Sequence, residues 1–137
     1  MNEEQEQYKS IVFVDIDETI CWTPDNRDYA KAVPMERHIN VINALYRDGH
    51  KIVYWTARGT GTGLDWREVT EKQFAHWGVL YHELKFNKPE YSLFIDNKNV
   101  SAARFFDPRQ NVSFGGQAVT NTETNNLGEE NESNEIV

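Results

Sequence analysis

Three short runs of purely apolar residues constrain this 137-residue chain more than any other feature. They are Ile11-Val12-Phe13-Val14, Ile52-Val53-Tyr54-Trp55 and Leu93-Phe94-Ile95. Unbroken apolar runs of this kind predict strands covered on both faces, as in a parallel sheet. Between the first two, Met35, Ile39, Ile42 and Tyr46 recur at helical spacing with Leu45 beside them, and Gly49 is placed to end the helix. After the second, Asp65 is a cap candidate with Glu68 three residues later. Trp66, Val69 and Trp77 mark the expected buried stripe, and Gly78 the stop. Residues 81–86 read as an edge strand and 101–105 as one more helical turn. The alternation predicts a single α/β domain over residues 10–115, with a mostly parallel sheet and right-handed crossovers.

The net charge of -8 is misleading until it is located. Residues 1–9 hold three Glu and one Lys, and residues 116–137 hold five Glu and no basic residue. That leaves 14 acidic and 13 basic residues in the body, which is nearly neutral. No basic stripe of the kind that tracks a nucleic-acid backbone is present, which argues against a long duplex as partner. The 1–9 segment reads as an acidic tail, and 116–137, rich in Asn, Glu, Thr and Gly, is expected to be disordered. No apolar run reaches the ~20 residues needed to cross a bilayer. The polar N-terminus does not resemble a signal peptide, and a lone cysteine, Cys21, suits a reducing compartment. A cytoplasmic location is the expectation.

Each apolar run leads into polar residues at its carboxyl end: Asp15-Ile16-Asp17-Glu18-Thr19 after the first, Thr56 after the second, Asp96 after the third. Parallel sheets bind ligands at that edge, so Asp15, Asp17, Thr56 and Asp96 are expected to share one crevice. Crowded carboxylates need a cation, and oxygen ligands of this kind suit Mg²⁺ together with a substrate phosphate. A metal there would offset the repulsion between a carboxylate and a phosphoryl group. Asp15 could then attack phosphorus to form an aspartyl-phosphate, with Asp17 protonating the leaving alcohol and later activating water. Thr56 offers a hydroxyl and an N–H to phosphate oxygens, and Lys88 a positive charge.

At these residues the chain resembles the haloacid dehalogenase (HAD) superfamily of phosphatases. Its four motifs occur in order: Phe13-Val14-Asp15-Ile16-Asp17-Glu18-Thr19, then Val53-Tyr54-Trp55-Thr56, then Lys88-Pro89, then Leu93-Phe94-Ile95-Asp96. The resemblance covers roughly residues 10–107. It implies a three-layer Rossmann-like fold, with Mg²⁺ held by the Asp15 and Asp96 side chains and the Asp17 backbone carbonyl. Only residues 21–34 separate the first motif from the first helix, room for a flap and not for a cap domain. The chain is therefore similar to small capless phosphatases of sugar-phosphate and capsule biosynthesis. This implies a small phosphorylated substrate and leaves open a homo-oligomer that supplies a missing pocket wall. Relatives often carry two acids at the fourth motif, where this chain has Asp96-Asn97; Asn97 could still bind a metal-bound water.

Several residues keep two readings at this level. Lys85 competes with Lys88 as the phosphate-binding lysine. Arg58, followed by the Gly-Thr-Gly-Thr-Gly run of residues 59–63, is either part of a flexible connector or a substrate contact. Trp22, Arg27 and Tyr29 either touch the leaving group or pack on the surface. His38, His50, His76 and His82 lack metal-ligand spacing, and Cys21 reads as packing. A nucleotide or polynucleotide-end phosphatase, and a non-catalytic phosphate-binding module, are the competing functions.

Overall fold

The computed structural model describes residues 7–114 and 117–120. The chain divides into two compact units, Met1–Leu93 and Phe94–Val137. The first is built on a three-stranded parallel sheet, β1 (Ile11–Val14), β4 (Lys51–Trp55) and β5 (Glu83–Lys85), in the order β1-β4-β5. Two short strands, β2 (Cys21–Trp22) and β3 (Val33–Pro34), pair antiparallel and close a flap after β1, which also holds a 3₁₀ turn at Tyr29–Lys31. The crossovers are helices α1 (Glu36–Arg47) and α2 (Arg67–Trp77). Among the described residues no helix is long and apolar enough to cross a membrane.

The expected first helix forms, burying Ile39, Val41, Ile42 and Leu45. Asn43 is buried with them because its amide is used twice, donating to the Gly78 carbonyl (2.8 Å) and accepting from the Leu80 N–H (2.9 Å). That side chain ties α1 to the exit of α2. Gly78 ends α2 in the left-handed region (φ 72) and donates to the Phe74 carbonyl, as a C-terminal glycine should.

Two packing expectations are corrected. Trp66, Val69 and Trp77 are only half-buried; the fully buried residues of α2 are Thr70 and Phe74. Phe74 packs edge-on against Tyr54 (4.9 Å) and Tyr81 (5.1 Å), while Thr70 is buried because its hydroxyl is hydrogen-bonded. Nor is β1 covered on both faces: Ile11 and Phe13 are exposed and Val14 is buried. Crossovers of one hand running the same way across a sheet put both helices on one face. The opposite face carries Ile11, Phe13 and Lys85, whose Nζ lies 5.9 Å from the centre of the Phe13 ring.

In the second unit the third apolar run is not a strand. Leu93, at the boundary, Phe94 and Ile95 lie outside the described strands and are exposed. Asp96 opens a turn, accepting from the Lys98 N–H (3.1 Å) and, through its carbonyl, from the Asn99 amide (2.8 Å). A single helical turn, α3 (Ala102–Phe105), is capped by the Ser101 hydroxyl, which accepts from the Arg104 N–H. A hairpin follows, β6 (Asn111–Phe114) with β7 (Gln117–Thr120), so part of the segment expected to be disordered is a strand. The acidic N-terminal tail up to residue 6 and residues 121–137 lie outside the described residues.

Two substitutions separate strain from packing. At Gly78 an added Cβ would meet nothing within 4 Å, so Gly78→Ala should cost only the left-handed backbone penalty, about 1–2 kcal/mol. Phe74→Ala, which empties the contact with Tyr54 and Tyr81, should cost about 3–5 kcal/mol in a urea titration.

Candidate active site

β1 delivers Asp15 to the carboxyl edge of the sheet, and the chain then turns sharply. The Ile16 carbonyl accepts from both Thr19 N–H (3.1 Å) and Ile20 N–H (2.8 Å), and Glu18 takes a left-handed conformation (φ 59). The turn sends the two neighbouring carboxylates to different partners.

Asp15 stays accessible. Its side chain is 41% exposed, with Oδ1 3.6 Å from Lys88 Nζ and Oδ2 accepting a long bond from the Thr19 hydroxyl (3.4 Å). Partial burial pushes its pKa above the usual carboxylate value; Lys88 and the Ile16 N–H pull it back, and the Asp17 charge raises it. Asp17, by contrast, is 11% exposed and locked. It accepts from Arg58 Nε (3.1 Å to Oδ2) and Nη2 (2.9 Å to Oδ1), and from the Thr23 hydroxyl.

Arg58 is the residue that sequence reasoning misplaced. Its side chain is fully buried, and each of its five N–H donors has an acceptor. Nε and one Nη2 proton go to Asp17, the other Nη2 proton lies toward Cys21 Sγ (3.8 Å), and Nη1 reaches Thr70 Oγ1 (2.9 Å) and Gln73 Oε1 (2.7 Å). The guanidinium also lies 4.9 Å from the centre of the Tyr29 ring. No donor is left for a substrate, so Arg58 is a positioning residue. Gln73 continues the chain by donating to the Tyr29 carbonyl (2.6 Å), fastening the flap to α2. Thr23, Thr70 and Gln73 were missed altogether. The only sequence signal was a Thr and a Gln three residues apart on the inward side of a helix.

The loop after Thr56 is not a loose connector. Gly59 is left-handed (φ 84), and a Cβ there would lie 2.1 Å from the Leu64 carbonyl oxygen. The Thr60 hydroxyl donates to the Lys88 carbonyl (2.8 Å), and the Lys88 N–H donates to the Thr56 carbonyl (3.1 Å). These bonds fix Lys88 against Asp15. Lys85 points to the open sheet face instead, so Lys88 is the cation at the Asp15 carboxylate. Thr56 is buried, its hydroxyl accepting from the Arg58 N–H (3.1 Å). In the flap, Glu18 takes Arg27 (2.8 Å) and the Thr23 N–H (3.0 Å), Tyr29 stacks edge-on with Trp66 (5.0 Å), and Trp22 is exposed. His38 donates its Nδ1–H to the Thr19 carbonyl (2.8 Å), and burial lowers its pKa.

The structure therefore brings Asp15, Asp17, Thr56, Arg58 and Lys88 together at one edge of the first unit. Asp96 and Asn97 belong to the second unit. Among the described residues no three His, Cys, Asp or Glu side chains form a metal-holding group. The open oxygen donor at this edge is the Asp15 carboxylate. With the Asp17 carboxylate taken by Arg58 and Thr23, Asp17 could ligate a cation only through its backbone carbonyl. Such hard oxygen donors, few and partly solvated, fit Mg²⁺, which keeps several waters.

No protein-family model matches the sequence, and no curated protein matches it. Two solved structures are similar. A protein from Vibrio cholerae is 20% identical with a TM-score of 0.65, the match covering 89% of this chain and 98% of that one. That likeness shows a shared fold. A chain of the Pnkp1/Rnl/Hen1 complex is 17% identical with a TM-score of 0.49, covering 75% of this chain and 36% of that one. This second likeness is too slight to bear on fold or function.

Three outcomes follow from the unequal carboxylates. Arg58→Ala should destabilise the chain by about 3–5 kcal/mol in chemical denaturation, because it leaves Asp17 buried without its partner. Asp15 behaves oppositely. A carboxyl whose folded pKa is raised costs the fold stability once pH climbs through that pKa. Asp15→Asn should therefore be more stable than the parent at pH 7, with the difference closing below pH 4. Burial and the Asp17 charge push the Cys21 thiol up to about 12, so iodoacetamide at pH 8 should label it only after unfolding.

Proposed function

We propose that this chain is a Mg²⁺-dependent phosphomonoester hydrolase of the HAD type, with Asp15 as the nucleophile and a sugar phosphate or similar small metabolite as substrate. The observation that carries this reading is a half-exposed carboxylate at a sheet edge with a lysine ammonium fixed 3.6 Å away. A carboxylate meant only for structure would be paired and covered, as Asp17 is.

In this reading Lys88 binds a phosphate oxygen while its backbone bonds to Thr56 and Thr60 hold it in place. The Thr56 hydroxyl lies at the same edge, while its N–H is already given to the Lys85 carbonyl (2.9 Å). Asp15 attacks phosphorus, the phosphorus–oxygen bond to the alcohol breaks, and the phosphoryl group rests on Asp15. The resemblance assigns Asp17 the proton for the leaving oxygen and the later deprotonation of water, a role for which its carboxyl must first part from Arg58 and Thr23. Mg²⁺, held by the Asp15 carboxylate and the Asp17 carbonyl, would neutralise charge between carboxylate and phosphate. Its third protein ligand, Asp96, is assigned on the sequence motif alone.

The test is phosphate release from a panel of phosphomonoesters with Mg²⁺, with chelator, and with variants. Turnover should require Mg²⁺, vanish in Asp15→Asn, and fall about 10²–10³-fold in Lys88→Met, the usual cost of losing one charge-stabilising donor. Asn97→Asp should lower the Mg²⁺ concentration giving half-maximal rate. Hydrolysis that survives both chelator and Asp15→Asn would overturn the mechanism. Mg²⁺ binding with no turnover across the panel would favour a phosphate-binding module.

A further inference from the structure

A cleft of about 290 Å³ opens on the sheet edge that carries Asp15, between the loop after β4 and the loop after β5. Its walls include Leu64, Asp65, Trp66, Arg67, Phe86 and Asn87. Two of its lining residues connect it to the reacting groups. Asn87 immediately precedes Lys88, and Arg58, at the back, holds Asp17. A larger hollow of about 510 Å³, lined by residues such as Glu36, Asn40, His76 and Trp77, includes none of the residues around Asp15.

We infer that the smaller cleft is the leaving-group subsite and takes a single uncharged, polyhydroxylated ring. The inference rests on the hydrolase reading for its placement beside the phosphate, and on the cleft itself for the ligand class.

Size decides first. Pockets for small molecules run from about 300 to 1,000 Å³, so this one sits at the lower end and suits one ring, not a dinucleotide or a polymer strand. Charge decides next. The Arg58 guanidinium is spent on Asp17, Thr70 and Gln73, and the Arg67 guanidinium is already paired with Glu71 (3.5 Å), with Asp65 beside it. A second phosphate finds no excess cation here, which disfavours a nucleoside diphosphate or a polynucleotide end.

The chemistry of the wall fits hydroxyl groups. One Asp65 oxygen accepts from the Arg67 N–H (3.0 Å), and the other is available to a ligand hydroxyl. Asn87 is exposed and left-handed (φ 66), a conformation Asn tolerates better than most residues, and contributes an amide that both donates and accepts. Arg67 is held 4.6 Å from the centre of the Phe86 ring, 3.3 Å from the Leu84 carbonyl and 3.5 Å from Glu71, so its remaining donors have a fixed direction. Leu64, Trp66 and Phe86 supply apolar surface for the C–H face of a ring. Carboxylate, amide and guanidinium around an apolar wall can each satisfy a different hydroxyl.

The first experiment titrates the unmodified chain with free glucose, mannose and galactose and follows the Asn87 side-chain amide and Trp66 indole by NMR. Saturable shifts at both with at least one hexose are expected. No shift at either with any of the three would overturn the subsite. The second compares turnover in Asp65→Ser combined with Asn87→Gly; Ser keeps an oxygen for the Arg67 N–H, and Gly accepts the left-handed backbone. The kcat/KM for hexose 6-phosphates should fall at least tenfold relative to that for p-nitrophenyl phosphate, whose leaving group offers no hydroxyl pattern. Equal falls for both would also overturn it. Because the hexose titration needs no turnover, the two readings fail separately. Hexose binding without phosphate release sinks the hydrolase and keeps the cleft, while phosphate release without hexose binding does the reverse.

Discussion

A guanidinium with no solvent contact is expensive to hold, and the first unit is arranged around meeting that demand. Arg58 is taken out of water together with Asp17, and the desolvation cost of two such charges is several kcal/mol per ion. Their attraction alone seldom offsets it. Here Thr70, Gln73, Cys21 and the Tyr29 ring complete the surroundings, so four separate stretches of chain must arrive in register before the pair is tolerable. The loop after β1, the loop after β4, the flap and α2 are thus specified relative to one another by one side chain. The pair need not make the chain more stable than an apolar substitute would. What it contributes is a single orientation for Asp17.

That orientation gives the neighbouring carboxylate its different character. Asp15 sits two residues away on the same strand exit, yet the turn at Ile16 leaves it facing water and Lys88. Partial burial makes its charge unfavourable to the fold, so this carboxylate costs stability where Asp17 is fully paired. Lys88 is held through its main chain, by Thr56 and Thr60. Its ammonium therefore remains available while its backbone is immobile.

Much of this architecture was legible in the residues. β1 and β4 announced themselves as apolar runs, and Gly78 marked the end of α2 because only a residue free of Cβ strain takes φ 72 cheaply. The fold class and the meeting of Asp15, Asp17 and Thr56 at one strand edge followed from those strands, whereas Lys88 was singled out over Lys85 by the Pro89 after it. Arg58 was not legible. Its partner Asp17 lies 41 positions away, and an arginine before a glycine-rich stretch looks the same whether it points outward or inward. Thr70 and Gln73 left no apolar trace, since they are buried by hydrogen bonding and not by hydrophobicity. Leu93-Phe94-Ile95 failed in the other direction. Apolarity favours a strand only when a neighbouring backbone completes the ladder, and three residues carry no information about that neighbour.

The open face of the sheet in the first unit carries a further consequence. A flat apolar face is an invitation for sheets to stack or for like chains to associate. Ile11 and Phe13 would form such a surface with the inner parts of β4 and β5. Lys85 instead lies across the Phe13 ring, and Lys51 enters the same face bound to Glu83 at 2.6 Å. The hydrocarbon stems of both lysines cover apolar area while their ammonium ends interrupt it. The exposed apolar area of Ile11 and Phe13 is thereby broken into smaller islands.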